Sequence, residues 1–184
     1  MSSIKSIFSK WLPFAVAITG FCLLAYMTVQ QSLRQGANDP QIQIAEDAAA
    51  ALTGGASADT VLPHASVEMS TSLAPFMVLF DNSGKTVASS GLLHGALPDY
   101  PVGALDAAKG SGENRVTWQP SPGVRIASVV VPYDTGFVMA GRSLREVEKR
   151  ESQTQTLAAV IWLLTLLSVF VVIAVAEFIL RPAD

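Results

Sequence analysis

The sequence predicts an α+β protein in which an antiparallel sheet of five strands, with a leading helix, is flanked by two transmembrane helices. Residues 11–29 and 157–176 carry no charge, and each block is long enough to cross a hydrocarbon core of about 30 Å as a helix. Between the blocks, short β-rich runs are separated by turn residues. A charged, helix-forming stretch joins the last of these runs to the second block.

The first apolar block predicts an uncleaved membrane anchor. Lys5 and Lys10 form the basic leader that a secretory signal carries, but the block exceeds the usual length of about 7–15 residues and is followed by no small-x-small cleavage site. Positive charge before a first helix favours the cytoplasm. We therefore expect residues 1–10 to be cytoplasmic, residues 11–29 to span the membrane and residues 30–150 to lie outside the cytoplasm.

The second apolar block predicts a return through the membrane. We expect a transmembrane helix at residues 154–180 and a short cytoplasmic tail at residues 181–184. The basic residues around this helix oppose the orientation, since only Arg181 follows it and four precede it: Arg142, Arg145, Lys149 and Arg150. Charges beside a long translocated domain carry less weight, so the orientation set by the first helix is kept.

The composition argues against several classes of function. A formal net charge of −3 and a pI near 5.3 indicate no nucleic-acid partner. The single cysteine, Cys22, lies in the first apolar block and cannot form an intrachain disulfide. The sequence contains no nucleotide-binding, zinc-protease or serine-hydrolase motif. We therefore expect a protein that is not an enzyme and that has no catalytic residue, cofactor or metal.

Asp39 and Pro40 predict the start of the leading helix. Asp39 suits an N-cap and Pro40 suits the first helical position, so the chain should break here and a new helix should cover residues 40–52. Gly54 should end that helix. The polar segment that follows predicts no definite element beyond a short helix.

Five β-rich runs predict the sheet. They cover residues 76–80, 86–89, 114–119, 124–132 and 136–142. Turn residues connect the first two runs and the last three, so these neighbours should pair in antiparallel fashion. The stretch before the third run is rich in Gly, Pro and Ala and predicts a loop with a short helix near residues 105–109. An antiparallel sheet covered by helices and loops on one face can enclose a cavity.

The charged stretch "GRSLREVEKRES", residues 141–152, predicts a helical stalk. Ser143 suits a helix cap, and no Gly or Pro lies between it and Leu180, so one helix of about 57 Å could run from the sheet through the bilayer. Small or weakly polar residues lie on one stripe of this helix: Ala158, Thr165 and Ser168. They predict packing against the first span or a second copy of the chain, although Thr and Ser are also tolerated in any span.

The order of elements resembles the extracytoplasmic PAS-like or single-Cache sensor module of bacterial histidine kinases and chemoreceptors. The resemblance covers roughly residues 30–180, from a long helix through the "FDNSGK" turn to three strands that end in "VMAGRSL", a charged helix and a membrane span. The last residues, "FILRPAD", are similar to the start of a HAMP linker. The resemblance implies a two-pass protein of the bacterial inner membrane that takes a small-molecule ligand and forms a homodimer or joins a membrane signalling partner.

Three side chains are the predicted ligand-binding residues. Alternation along the fourth strand places Arg125 and Tyr133 on one face, and Arg115 lies on the preceding strand. If that face looks into a cavity, a guanidinium fork suits a small carboxylate. The alternative is that both arginines belong to the solvated face of the sheet. His64 and Glu68 would make half a metal site, but they lack a third ligand and a surface role is expected.

These observations predict a membrane-anchored sensor domain without an output module of its own, which passes ligand or partner binding through the stalk helix to a membrane partner. The alternative is a membrane-anchored protein-interaction module, or the remnant of a truncated histidine kinase, that binds no ligand. An apolar or loop-filled cavity without convergent polar groups would favour the alternative.

Overall fold

The computed structural model describes residues 2–179, so the predicted tail at residues 181–184 lies outside the described residues. The chain divides into two compact units, one of residues 1–33 with 149–184 and one of residues 34–148. The elements in chain order are α1 (Ser2–Thr53), α2 (Ala58–Val61), β1 (Val67–Glu68), β2 (Phe76–Asp81), β3 (Thr86–Ser89), β4 (Gly91–Leu92), α3 (Val102–Ser111), β5 (Asn114–Ser121), β6 (Val124–Tyr133), β7 (Gly136–Ser143) and α4 (Arg145–Ile179).

The predicted five-stranded antiparallel sheet is confirmed. Its strand order is β3-β2-β7-β6-β5, and every neighbouring pair is antiparallel. The strands begin where the sequence predicts, and several run slightly further, to Asp81, Ser121 and Tyr133. A small parallel pair of β1 with β4 is not predicted, because a strand of two residues carries no readable alternation.

Side chains that alternate along the strands build a separate core on each face of the sheet. One core is aromatic and includes α3 and the loop before it. Its buried members include Phe76, Phe80, Tyr100, Leu105, Trp118 and Phe137. The other core consists of small and aliphatic side chains and joins α1 to the sheet: Ala45, Ala48, Ala49, Met77, Leu79, Val129, Val138 and Ala140. Side chains therefore fill both faces of the sheet.

The predicted break before Pro40 is wrong, because α1 runs unbroken over Ser2–Thr53. A proline inside a helix removes one amide hydrogen bond and costs about 3 kcal/mol or more, and it can kink a helix without ending it. The turns after Pro40 are held by burial, since Ala45 and Ala48 pack against the sheet and are almost fully inaccessible. The local sequence does not show that this packing outweighs the cost of the proline. Gly54 follows the last helical residue, as predicted.

The side-chain amide of Gln41 on α1 is fully buried and has no hydrogen-bond partner among the residues that the structure describes. Burying such a group without a partner costs about 1–3 kcal/mol. Gln41→Met keeps the side-chain length and removes the polar atoms, so we expect it to raise the free energy of unfolding by about 1 kcal/mol or more. Urea unfolding in detergent measures this, with the exposed Gln43→Met as the control. A loss of stability would contradict it.

The last strand and the second long helix meet with a single residue between them. β7 continues to Ser143 and α4 begins at Arg145, so the helix starts two residues later than predicted. Ser143 still contributes, because its Oγ accepts the amide N–H of Arg145 at 3.3 Å. From there α4 continues without interruption to Ile179, a length of about 52 Å.

Tyr100 and Ser128 form a polar pair inside the aromatic core. Tyr100 donates to Ser128 Oγ at 2.9 Å, and Ser128 donates to the carbonyl of Val116 at 2.8 Å. Burial raises the pKa of the Tyr100 phenol, which favours its neutral, donating form. The Tyr100 ring centroid lies 5.7 Å from that of Phe80 and, edge to face, 5.0 Å from that of Trp118. The pair ties the loop before α3 to the middle of the sheet.

Removing the two hydroxyls should have different effects on stability. Tyr100→Phe deletes one hydrogen bond and leaves Ser128 bonded to Val116, so we expect a loss of about 1 kcal/mol of unfolding free energy. Ser128→Ala deprives both the Tyr100 hydroxyl and the Val116 carbonyl of this partner, so we expect a loss of about 2–3 kcal/mol. Chemical unfolding of the two variants tests the order. A larger loss of unfolding free energy in Tyr100→Phe than in Ser128→Ala would contradict the stabilising role of these hydrogen bonds.

In the other unit, the first part of α1 lies antiparallel to the second part of α4. The indole N–H of Trp11 donates to the Leu166 carbonyl at 3.1 Å, and that of Trp162 donates to Thr19 Oγ1 at 2.9 Å. Most large apolar side chains of both helices are nevertheless exposed. Both helices are long and apolar enough to cross a membrane, by a criterion of length and composition alone.

Candidate functional site

The candidate site is the place where β7 passes into α4, within the 34–148 unit. The amide of Leu144 donates to the carbonyl of Arg125 at 2.8 Å, so the chain stays bonded to β6 after β7 ends. The amide of Glu148 then donates to the Leu144 carbonyl at 2.8 Å. We call this site the junction and define it by Thr71, Leu73, Arg125, Arg142, Leu144, Arg145 and Glu148.

An ion pair fixes the first turn of α4 to the sheet. Arg125 on β6 donates to the Glu148 carboxylate at 2.6 Å. The two side chains are 51% and 38% exposed, so water screens the pair and it contributes only about 0–1 kcal/mol to stability. It connects the first helical turn of α4 to β6.

Two more arginines of the junction bind the segment that leads into β2. Arg142 Nε donates to the Leu73 carbonyl at 3.3 Å, and the guanidinium of Arg145 donates to the Thr71 carbonyl at 3.0 Å. One arginine ends the sheet and the other begins the helix. A movement of residues 71–73 would therefore act directly on the start of α4.

Glu68 connects that segment to a surface loop. Its carboxylate accepts the Ser70 hydroxyl at 2.7 Å and the backbone amides of Ser70, His94 and Gly95 at 3.2, 3.0 and 3.1 Å. Its backbone carbonyl accepts the amide of Thr71 at 3.2 Å. These bonds, led by that of the Ser70 hydroxyl, lower the pKa of Glu68 to about 2. A chain of hydrogen bonds thus runs from the loop at His94 through Glu68 to the junction.

His94 has an unusual backbone conformation. Its φ is +52°, and among the described residues no other non-glycine has a positive φ. Such a conformation costs free energy and persists where its surroundings enforce it. The bond from the His94 amide to Glu68 is one such restraint. The exposed loop residues 94–95 are therefore held in shape by the carboxylate that also leads to the junction.

The lowered pKa makes the stabilising effect of Glu68 depend on pH. A carboxylate whose pKa falls from 4.5 to about 2 on folding contributes its full stability above pH 4.5 and loses it as the pH falls through the folded value. Asp81 follows the same trend, because Ser83 and Lys85 lower its pKa. We expect the unfolding temperature to decline between about pH 5 and pH 2, and Glu68→Gln to flatten part of that decline. Thermal unfolding across this range, with the exposed Glu46→Gln as the control, measures both. Identical pH profiles for all three proteins would contradict the role of Glu68.

The structure does not bring the three predicted ligand-binding residues together. Arg125 lies at the junction and Tyr133 at the other end of the same strand, about 26 Å away at the rise of a β-strand. Arg115 lies between them on the edge strand β5, opposite Val129, and pairs with Glu113. The alternation of side chains along a strand predicts which residues share a face of the sheet, but it does not bring those residues close together. Ligand binding by each residue stays a prediction, but one small carboxylate could not contact all three.

The predicted helix-packing residues differ in their positions on α4. Ala158 lines a cavity of about 260 Å³ between α1 and α4, and Thr165 is partly buried. Ser168 is exposed and donates to the Leu164 carbonyl at 2.8 Å. The predicted stripe follows steps of 3.5 residues, from which a straight helix drifts by about 20° per heptad. The partly buried stripe therefore passes through Val169 instead of Ser168. The packing role of Ala158, Thr165 and Ser168 in a membrane stays a prediction.

Sequence reasoning missed the roles of Glu68, Thr71 and His94. All three lie in segments for which the sequence predicts no definite element, and their partners are mainly backbone amides and carbonyls, which leave no pattern in a sequence. Glu68 turns its carboxylate to the amides of residues 94–95. Within residues 2–179, no group of three His, Cys, Asp or Glu side chains could hold a metal ion.

No protein-family model, no curated protein and no solved structure matches the chain. The fold and the junction therefore define its class: an α+β domain built on a five-stranded antiparallel sheet, whose first and last helices continue into long apolar segments.

Proposed function

We propose that the chain is a membrane-anchored sensor. Its 34–148 unit binds a small solute or a protein outside the cytoplasm, and α4 carries the resulting movement into the bilayer to a membrane partner or a second copy of the chain. The observation that carries this proposal is the direct passage of β7 into α4 through Leu144. A continuous helix bonded to a sheet moves with that sheet, whereas a helix on a loose linker does not.

The two apolar helices support membrane anchoring. Their exposed apolar side chains form surfaces far larger than a protein normally presents to water, and a bilayer would cover them. With Lys5 and Lys10 in the cytoplasm, the sheet lies outside the bacterial inner membrane.

The hydrogen bonds of Glu68 support a route for the signal. A ligand or partner that changes the exposed loop at residues 94–95 would alter its bonds to the Glu68 carboxylate. Because the Glu68 carbonyl holds Thr71, and Thr71 binds Arg145, the change would reach the first residue of α4. The five-stranded sheet between a leading and a closing helix agrees with the PAS-like or Cache-like identity that we propose for the unit. With that identity we also propose that the chain forms a homodimer.

A membrane-anchored protein-interaction module is the second candidate function. It is favoured by the packing on both faces of the sheet, where aromatic side chains cover one face and the alanines of α1 cover the other. A protein partner needs only an exposed surface and no cavity. In that case binding would pass no movement through α4.

Thermal unfolding of the full chain in nanodiscs, against small carboxylates, amino acids, sugars and divalent ions, separates the two candidates. A ligand that binds only the folded state at about 100 times its dissociation constant adds roughly 2.7 kcal/mol of stability. A sensor should show such a shift together with a changed cross-linking yield between Cys22 and Ala158→Cys, which line one cavity. The interaction module would be favoured by two results together. No compound of the panel would raise the stability, and a purified partner would bind without changing the cross-linking yield between Cys22 and Ala158→Cys.

The sidedness is tested with single cysteines in a Cys22→Ser background. Val87 is exposed on β3 and Ile4 is exposed near the start of α1. A membrane-impermeant thiol reagent added to intact cells should label Val87→Cys and leave Ile4→Cys unlabelled until the cells are opened. The reverse pattern would place the sheet in the cytoplasm and overturn the extracytoplasmic sensor.

A further inference from the structure

Two arginines of the junction reach the same short segment of the chain. Arg142, near the end of β7, donates to the Leu73 carbonyl at 3.3 Å, and Arg145, at the start of α4, donates to the Thr71 carbonyl at 3.0 Å. Thr71 and Leu73 are two residues apart, so their Cα atoms lie at most about 7.6 Å apart. Both arginines are exposed, and their positive charges are therefore held close together at the surface.

No carboxylate of residues 2–179 forms an ion pair with either of these arginines. Of the acidic side chains that follow on α4, Glu146 pairs with neither arginine and Glu148 is bonded to Arg125 instead. The carbonyls that the two arginines bind are neutral acceptors, and a guanidinium forms a stronger bond with an anion. A guanidinium also has more N–H groups than the one side-chain bond that each arginine donates here. The pair therefore has both the charge and the donors to bind an anion.

We propose that Arg142 and Arg145 bind a tetrahedral dianion of the phosphate class, either inorganic phosphate or the phosphate group of a soluble monoester. The inference rests on the proposed function, for which it names the class of ligand. A dianion matches the two positive charges, and its oxygens can accept bonds from both guanidinium groups at once. A small monocarboxylate has a single charge and a single pair of oxygens, so it fits one guanidinium fork only.

The position of the two arginines would give the bound anion a direct effect on α4. Arg142 belongs to the last strand and Arg145 is the first residue of the helix, with Ser143 and Leu144 between them. An anion bonded to both arginines would connect the end of the sheet to the start of the helix. It would therefore act on the same contacts that the proposed signal uses.

The phosphate of a lipid head group offers the same chemistry, but the length of the stalk favours a soluble ligand. The part of α4 from Arg145 to Leu157, where the uncharged block begins, is about 18 Å long. Head groups add only about 5–8 Å to each side of the hydrocarbon core. On the membrane placement that we propose, the two arginines therefore lie outside the head-group layer.

Isothermal titration calorimetry of the full chain in phosphatidylcholine nanodiscs tests the site. The probe is inorganic phosphate at about pH 8, where it is mainly a dianion, and acetate at equal ionic strength is the control anion. We expect the wild type to bind phosphate and not acetate. Arg142→Gln and Arg145→Gln should each weaken phosphate binding about tenfold or more, because each loses a charge-assisted hydrogen bond. Lys109→Gln removes the same charge from the exposed end of α3 and should bind phosphate like the wild type.

The wild-type titration decides the matter even if an arginine variant misfolds. A wild type that does not bind phosphate, or that binds acetate equally well, would overturn the inference. Folded arginine variants that bind phosphate as tightly as the wild type would overturn it as well. Nanodiscs that contain phosphatidic acid, a lipid with a phosphate monoester, separate the two sources. If this lipid raises the unfolding temperature and added phosphate does not, the ligand is a head group and the soluble source is wrong.

The cross-linking yield between Cys22 and Ala158→Cys separates this inference from the proposed function. Phosphate that binds at the arginines and leaves the yield unchanged would support the site and refute transmission through α4. A yield that changes with another compound of the panel, while phosphate does not bind, would refute the site and keep the sensor.

Discussion

Gly136→Ala should unfold or severely destabilise the sheet domain. Gly136 begins β7 opposite Asp81 on β2, and a Cβ atom there would lie 1.9 Å from the carbonyl oxygen of Phe80. The obstacle is backbone in the central strand pair, so no rotation of a side chain can relieve it. We expect a loss of about 3 kcal/mol or more, a large share of the stability of a typical domain. Urea unfolding followed by tryptophan fluorescence, which reports on the buried Trp118, measures it.

Two other glycines provide matched controls for this change. A Cβ at Gly110 in α3 would meet nothing within 4 Å, so Gly110→Ala should leave stability unchanged or raise it by about 0.5–1 kcal/mol. A Cβ at Gly141 would lie 2.5 Å from the ring of Phe76, a side chain, so Gly141→Ala should be partly rescued by Phe76→Leu. Wild-type stability of Gly136→Ala would show that β2 and β7 can separate without cost, contrary to their pairing.

Gln153→Pro should uncouple the sheet domain from the membrane half of α4. Gln153 is exposed in the stalk, so the change disturbs no packing in either unit. Proline removes one backbone hydrogen bond and clashes with the preceding turn, at a cost of about 3 kcal/mol to a straight helix. We expect the 34–148 unit to unfold at its wild-type urea concentration, because the kink lies beyond its last residue. The rigid connection that the proposed signal needs would nevertheless be lost.

The coupling can be read without knowing any ligand, because unfolding of the sheet domain is itself a stimulus. In nanodiscs, the yield of a bifunctional cross-link between Cys22 and Ala158→Cys should change in the wild-type background at the urea concentration that unfolds the domain. In Gln153→Pro this change should be absent, and in Gln153→Ala, the matched control, it should remain. A wild-type yield that ignores domain unfolding would show that α4 transmits nothing, and the interaction module would then be the better account.

The kinds of element, and much of the fold, could be predicted from the sequence. Strands β2, β3, β5, β6 and β7 lie where β-rich runs and turn residues predict them, because alternation and turn preferences act within a few residues. The long apolar helices are predicted for the same reason, since length and lack of charge are local properties. For the candidate site, the sequence predicted a helix joined to the last strand, with Ser143 at its start, but not the hydrogen bonds of the junction.

The sequence by itself therefore determined five strands, the antiparallel pairing of strands that are neighbours in the chain, and the two apolar helices of this protein. The tertiary structure decided the rest: that α1 continues through Pro40, that Arg125 pairs with Glu148, and that Glu68 links a loop to the junction. Each of these depends on burial or on hydrogen bonds between groups far apart in the chain. Such terms appear only when the fold has brought those groups together, so no local pattern can encode them.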